Sequence, residues 1–304
     1  MTLSQTVPTY TTERDEHDGA VFLDANESYR QWAQINFNEM PPLNRYPDNN
    51  CRALCNALSE SYTTMFKPSE ILISSGSMEL IDVLLRGLCE KGLLLNEPTY
   101  QVYETKAQQL GLKVEKVTMN KDFTLNIDGL RKCAPFSDVL LLINPNNPTG
   151  SLISKANLEQ ILSFFEGTVI IDEAYIEFAG LKHSLESFVL THQNVIVIRS
   201  FSKAWGLAGV RLGYALGHQF LINKLSGLKS PYSVSVVAQN IGIQALSQQD
   251  KLSEYIYECL MFKRKLLSDL KSRGIHAIDT SANFILIKVA SSHLLHEHHM
   301  QNVH

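Results

Sequence analysis

Apolar residues along this chain fall into two rhythms. Short runs that are apolar at nearly every position alternate with longer stretches whose apolar residues recur every three or four positions. The first kind predicts strands buried on both faces, the second amphipathic helices. Strands are expected at Val21–Glu27, Glu70–Ser74, Gly92–Leu95, Gly111–Thr118, Val139–Ile143, Thr168–Ile171, Asn194–Arg199 and Ser281–Val289. Helices are expected over Tyr29–Met40, where Pro41–Pro42 stops it, and over Cys51–Met65, with Leu54, Leu58 and Tyr62 four apart. Others start at Ser75–Ser77 and run through Leu88, start at Tyr100, and cover Val234–Ser247 and Leu252–Arg273. Alternation of the two types from residue 51 to about 215 predicts an α/β fold, a mostly parallel sheet with helices on both faces. Leu225–Pro231 reads as a junction between that region and the last two helices.

Polar residues gather where the apolar runs stop. Ser200–Arg211 (S-F-S-K-A-W-G-L-A-G-V-R) follows the Asn194–Arg199 strand and sets Lys203 among hydroxyls and small residues. Ligands of α/β sheets bind at the carboxyl ends of strands. Lys203 there is either a solvated surface lysine or an amine for covalent chemistry, with Ser200, Ser202 and Arg211 as phosphate ligands. Ser75-Gly76-Ser77 is either a simple helix cap or an anion site at a helix N-terminus. Asn144–Gly150 (N-P-N-N-P-T-G) is a loop whose shape two prolines and a glycine restrict. Asp172 ends a buried strand, where a carboxylate needs a positive or hydrogen-bonding partner. Tyr46 precedes Pro47 on a turn, is therefore extended, and projects outward.

Together these pieces suit one group, pyridoxal 5′-phosphate. Lys203 would hold it, Asp172 would pair with its ring nitrogen, and Tyr100 would stack on the ring. Asn147 and Tyr175 would hydrogen-bond the ring hydroxyl. Ser75, Gly76, Ser77, Ser200, Ser202 and Arg211 would hold the phosphate.

Composition adds bounds. A formal charge of −4 with no basic block argues against nucleic acid as a partner. The first twenty residues have no apolar core for a signal peptide, and no run reaches the length of a membrane span. Five cysteines, odd in number and without a CxxC pair, predict reduced thiols and a cytoplasmic location, with no metal site.

The chain resembles fold-type I pyridoxal-phosphate aminotransferases, and within them the histidinol-phosphate aminotransferase branch. The resemblance rests on L-D-A-N-E at Leu23–Glu27, N-R-Y-P-D at Asn44–Asp48, S-G-S-M-E at Ser75–Glu79 and E-P-T-Y at Glu97–Tyr100. It continues through N-P-N-N-P-T-G, D-E-A-Y at Asp172–Tyr175, the Ser200–Tyr214 stretch and A-N-F-I-L at Ala282–Leu286. It implies transamination between glutamate (giving 2-oxoglutarate) and imidazole-acetol phosphate (giving histidinol phosphate), in a homodimer. Lys203, Asp172 and Tyr175 would be the catalytic residues, and Tyr46 would reach the phosphate of the partner subunit's cofactor. It implies an arm at 1–30 that is part of a small domain, a large cofactor-binding domain at 31–230 and a small domain at 231–304. Departures are Ser28-Tyr29-Arg30 after N-E, Met78 before Glu79, and the absence of arginine after Arg273, where the family has one for the substrate's anionic group. The tail Ser291–His304, with five of the ten histidines, does not match the family's next helix, so the small domain is expected to be incomplete. An aromatic or broad-range aminotransferase, a phosphothreonine decarboxylase of the same fold, and an inactive remnant are the alternatives.

Overall fold

The computed structural model describes residues 23–288. The expected arm at 1–20, the first two residues of the Val21–Glu27 strand and the tail from 289 lie outside them. In chain order the elements are α1 (Arg52–Ser61), β1 (Ile71–Ser74), α2 (Ser77–Leu88), β2 (Leu93–Glu97), α3 (Val102–Gln109) and β3 (Val114–Thr118). Next come α4 (Ile127–Cys133), β4 (Val139–Ile143), α5 (Lys155–Leu162), β5 (Thr168–Asp172), α6 (Ile176–Ala179), β6 (Val195–Ser200) and β7 (Gly213–Gly217). The described chain ends with α7 (Gln219–Ser226), α8 (Val236–Leu246), α9 (Gln249–Ser272), β8 (Ala277–Asp279) and β9 (Ile285–Ile287).

β1 to β7 form one sheet in the order β1-β7-β6-β5-β4-β2-β3. All neighbours run parallel except β7, which is antiparallel to both β1 and β6. Successive side chains leave a strand on opposite faces, so a strand covered on both sides needs apolar residues throughout. Leu140 and Leu142 of β4 join the core on one face, with Val169, Ile171 and Trp205. Val139, Leu141 and Ile143 join the core on the other, with Leu80, Leu84 and Ile170 of α2 and β5. Each fully buried side chain of this kind is worth about 1.5–3 kcal/mol relative to leaving it in water. β8 and β9 form a separate antiparallel hairpin beside the long helix α9.

Two expectations fail near the N-terminus. Residues 23–27 form a turn and irregular chain, and of Tyr29–Met40 only Phe37–Glu39 makes a short 3-10 turn. The reason is tertiary. Trp32 is buried, its Nε1 donates to the Ala204 carbonyl (3.0 Å), and its ring stacks on Tyr255. The backbone N–H groups of Gln34 and Asn36 donate to the side chains of Gln248 and Gln244. The segment therefore satisfies its polar backbone by lying against α8 and α9, and helical bonds are not required.

The cysteines are free, as expected. Burial pushes the Cys51 and Cys55 thiols up to about 11 and about 12, which leaves them unreactive near neutrality. Among the described residues no helix is long and apolar enough to cross a membrane.

Candidate active site

β4, β5 and β6 end at one edge of the sheet, and the residues just past them face a cavity of about 1060 Å³. Lys203 lies three residues past β6 on a loop held by its own backbone. Phe201 N–H donates to Leu212 O, Gly206 N–H to Lys203 O and Leu207 N–H to Phe201 O, each at 3.0 Å. Phe201, Ala204 and Trp205 are buried beneath it. The apolar half of S-F-S-K-A-W thus anchors the loop and leaves the lysine facing the cavity. Its Nζ donates to the backbone carbonyls of Ala25 and Asn26 and lies 5.5 Å from the centre of the Tyr175 ring.

Asp172, the last residue of β5, is 4 % exposed. Its Oδ1 accepts the Ala174 N–H (2.9 Å) and its Oδ2 the Tyr103 hydroxyl (2.6 Å). Burial pushes its carboxyl up to about 6 against these donors. Such a group gains from a cationic partner that displaces no existing bond. Tyr175 is buried as well, hydrogen-bonds Asn26 and Asn147, and is pushed up to about 12 by burial, so its phenol is neutral at working pH. Tyr100 lines the same wall and meets Tyr103 edge to face at 5.6 Å.

The other end of the cavity suits an anion. Ser77 opens α2, preceded by Gly76 at φ 79°, a left-handed conformation that a side chain resists. A Cβ on Gly76 would lie 2.5 Å from the Arg211 guanidinium, so the arginine packs directly over the start of α2. Ser75 precedes this turn, and its N–H donates to the Glu79 carboxylate (2.5 Å). Ser77, Ser200, Ser202 and Arg211 face the cavity, and the Ser200 hydroxyl accepts the Ser202 N–H (3.0 Å). An amine, a buried carboxylate, an aromatic face and a phosphate-sized anion cradle converge here, and this donor set fits pyridoxal phosphate.

Of the expected residues, Ser77, Tyr100, Asn147, Asp172, Tyr175, Ser200, Ser202, Lys203 and Arg211 line the cavity, whereas Ser75 and Gly76 do not, their N–H groups being donated to Glu79 and the Ser74 carbonyl, and neither does Tyr46. Tyr46 is 82 % exposed, stacks on Tyr232 (4.6 Å between centroids), and takes no part in the wall of its own chain's cavity. Other residues that shape the site lay outside the expected set. Tyr103 sits one helical turn past Tyr100, and that spacing was the available signal. Asn26 and Asn283, in the L-D-A-N-E and A-N-F-I-L stretches, pair side chain to side chain (2.8 Å) at the cavity. Lys263 also lines the wall, but its ammonium is committed to the carbonyls of Thr280 and Ala282 and to Asp279.

A family model described as "Aminotransferase class I and II" matches residues 15–303. A histidinol-phosphate aminotransferase of Cytophaga hutchinsonii is 32% identical over 97% of this chain and 84% of its own length. One of Parabacteroides distasonis is 33% identical over 93% of this chain and 81% of its own. Among solved structures, a putative histidinol-phosphate aminotransferase of Erwinia carotovora atroseptica superposes with a TM-score of 0.78 at 25% identity, covering 88% of this chain and 85% of that one. With the family model matched over nearly the whole length, the chain belongs to the class I and II aminotransferases.

Proposed function

We propose that this chain is a pyridoxal-phosphate-dependent aminotransferase of the cytoplasm that moves an amino group from glutamate to imidazole-acetol phosphate. The products would be 2-oxoglutarate and histidinol phosphate. The observation that carries this reading is one cavity at the strand ends that takes in Lys203, Asp172 and Arg211 together. The names of the similar proteins support the substrate.

When bound, pyridoxal phosphate supplies an electron-withdrawing ring that accepts and returns an amino group. Lys203 Nζ would hold the cofactor covalently and would move a proton to and from the substrate's carbon. The Asp172 carboxylate would accept a hydrogen bond from the ring nitrogen and favour its cationic form. Tyr175 and Asn147 would orient the ring hydroxyl, and Tyr100 would cover the ring and exclude water. Ser77 at the α2 N-terminus, preceded by Ser75 and Gly76, with the hydroxyls of Ser200 and Ser202 and with Arg211, would hold the phosphate. Among the described residues, 31–230 would form the cofactor-binding domain, and 23–30 with 231–288 the smaller one. Two copies make the working unit, in which Tyr46 reaches the partner's phosphate.

The test is the absorbance spectrum of the purified chain with pyridoxal phosphate, before and after glutamate and then histidinol phosphate. A protein-bound band that bleaches with both amines is the expected result. A band that never bleaches with either amine, or no band, overturns the reading. Bleaching by aromatic amino acids and not by histidinol phosphate moves the substrate to the aromatic class.

A further inference from the structure

Each oxygen of the Asp172 carboxylate is aimed by a different neighbour. Ala174, which donates to Oδ1, belongs to the same turn and moves with it. Tyr103, which donates to Oδ2, belongs to α3, 69 positions away in sequence. Its ring is 2 % exposed and meets the Tyr100 ring at 87°, so one packed unit sets both the aromatic wall and the carboxylate.

We propose that Tyr103 is a positioning residue: its hydroxyl fixes the direction of the Asp172 carboxylate and keeps it an anion, ready for the ring nitrogen of the cofactor. This rests on the cofactor assignment above. Burial is the main influence on Asp172 and favours the neutral acid. The Tyr103 hydroxyl is the strongest opposing one, followed by the Ala174 N–H. Glu173, next in the chain and paired with Arg199, also favours the neutral acid, while Lys203 from the loop after β6 favours the anion. Tyr175, across the cavity, and Tyr100, beside Tyr103, complete the titratable groups around the pair. Burial, with the Asp172 charge, raises Tyr103 well above the ordinary phenol range, so its hydroxyl stays a donor throughout. Without that donor the carboxyl takes up a proton at higher pH. As a neutral acid it offers a proton where the ring nitrogen already carries one.

Tyr103→Phe removes one hydroxyl and keeps the ring. Affinity of the cofactor-free protein for pyridoxal phosphate, followed by tryptophan fluorescence from pH 5 to 9, reads the effect without turnover. In the unaltered protein the affinity should weaken on acidification with a midpoint near 6. A lost bond to a charged group is worth about one to two pH units, so the variant's midpoint should move up by that much. Its affinity should then be down ~10-fold at pH 7 and recover toward pH 9, and kcat should fall over the same range with KM for glutamate little changed. An unchanged midpoint, or an equal loss at every pH, overturns the proposal. If the unaltered protein binds no pyridoxal phosphate, the cofactor assignment fails, and this inference with it. Should the variant not fold, proton NMR of the unaltered protein tests the same bond. The Tyr103 phenolic proton should exchange slowly and shift as Asp172 titrates. A fast-exchanging phenol that ignores that titration overturns the proposal.

Discussion

Asp172 and Glu173 are adjacent carboxylates with different surroundings. Glu173 is fully buried and saturated: Arg199 pairs with it at 3.0 Å, the Ser184 hydroxyl donates at 2.8 Å and the Leu185 N–H at 2.7 Å. Breaking such a buried pair costs about 3–5 kcal/mol. Glu173→Ala is therefore expected to lower stability by that order in denaturant unfolding. Asp172→Ala should leave the protein folded and able to bind pyridoxal phosphate weakly, yet reduce kcat by about 100-fold or more. A third carboxylate, Glu177, accepts the Tyr62 hydroxyl at one oxygen, and its other oxygen has no hydrogen-bond partner among the described residues. Burial pushes it from 4.5 up to about 7. Between those values the folded state binds a proton that the unfolded state has released, so stability from this group is full below 4.5 and is lost as pH rises through about 7. Glu177→Gln should remove that slope, and its advantage over the unaltered protein should grow to about 3 kcal/mol by pH 8. An unfolding series from pH 5 to 8 checks it. Lys203, Asp172, Asn147 and Tyr175 were legible in sequence because each lies at or just past the end of an apolar run. Tyr103 was not, because its hydroxyl acts across space on a residue 69 positions away.

Among the elements, β4 emerges from the sequence at its observed limits, since five consecutive apolar residues bounded by polar ones admit little else. β7 was unread for the opposite reason. Gly213-Tyr-Ala-Leu-Gly217 is short and glycine-ended, a pattern that weakens a strand signal. Its first glycine is required by geometry, because a Cβ there would sit 2.6 Å from the Ser77 nitrogen. β7 thus lets the start of α2 lie against the sheet where the anion cradle forms. Gly213→Val is expected to push α2 outward, lower the melting temperature and weaken pyridoxal phosphate by ~10-fold or more. Melting and cofactor titration measure the two effects. Leu141→Ala, buried in the core shared with α2 and outside the cavity wall, should cost about 2–5 kcal/mol and leave the affinity of the folded protein nearly intact. The helix expected over Tyr29–Met40 did not form because Gln244 of α8 and Gln248 just before α9 take over its backbone bonds, which a local pattern does not contain.

At the scale of the whole molecule, the exposed Tyr46–Tyr232 stack is a rigid aromatic feature outside its own cavity. In the proposed dimer it belongs to the neighbour's phosphate. Sedimentation should then give twice the chain mass, and Tyr46→Phe should weaken pyridoxal phosphate by ~10-fold with the dimer intact. A monomer with unimpaired cofactor binding would contradict the shared site.

The Asn26–Asn283 pair joins residues 257 positions apart, at the cavity whose lysine donates to Ala25 and Asn26. The sheet between them rests on pairings closer in sequence, the longest being that of β1 with β7 (Ile71 opposite Leu216). Closing so long a loop costs more entropy than the shorter contacts do, so this part of the cavity wall is expected to form after the sheet and the Lys203 loop. A nascent chain halted before residue 283 would carry the lysine without its enclosure. Completion of the site therefore waits on the segment around residue 283, and the cofactor meets an enclosed lysine only once that segment has folded back on Asn26.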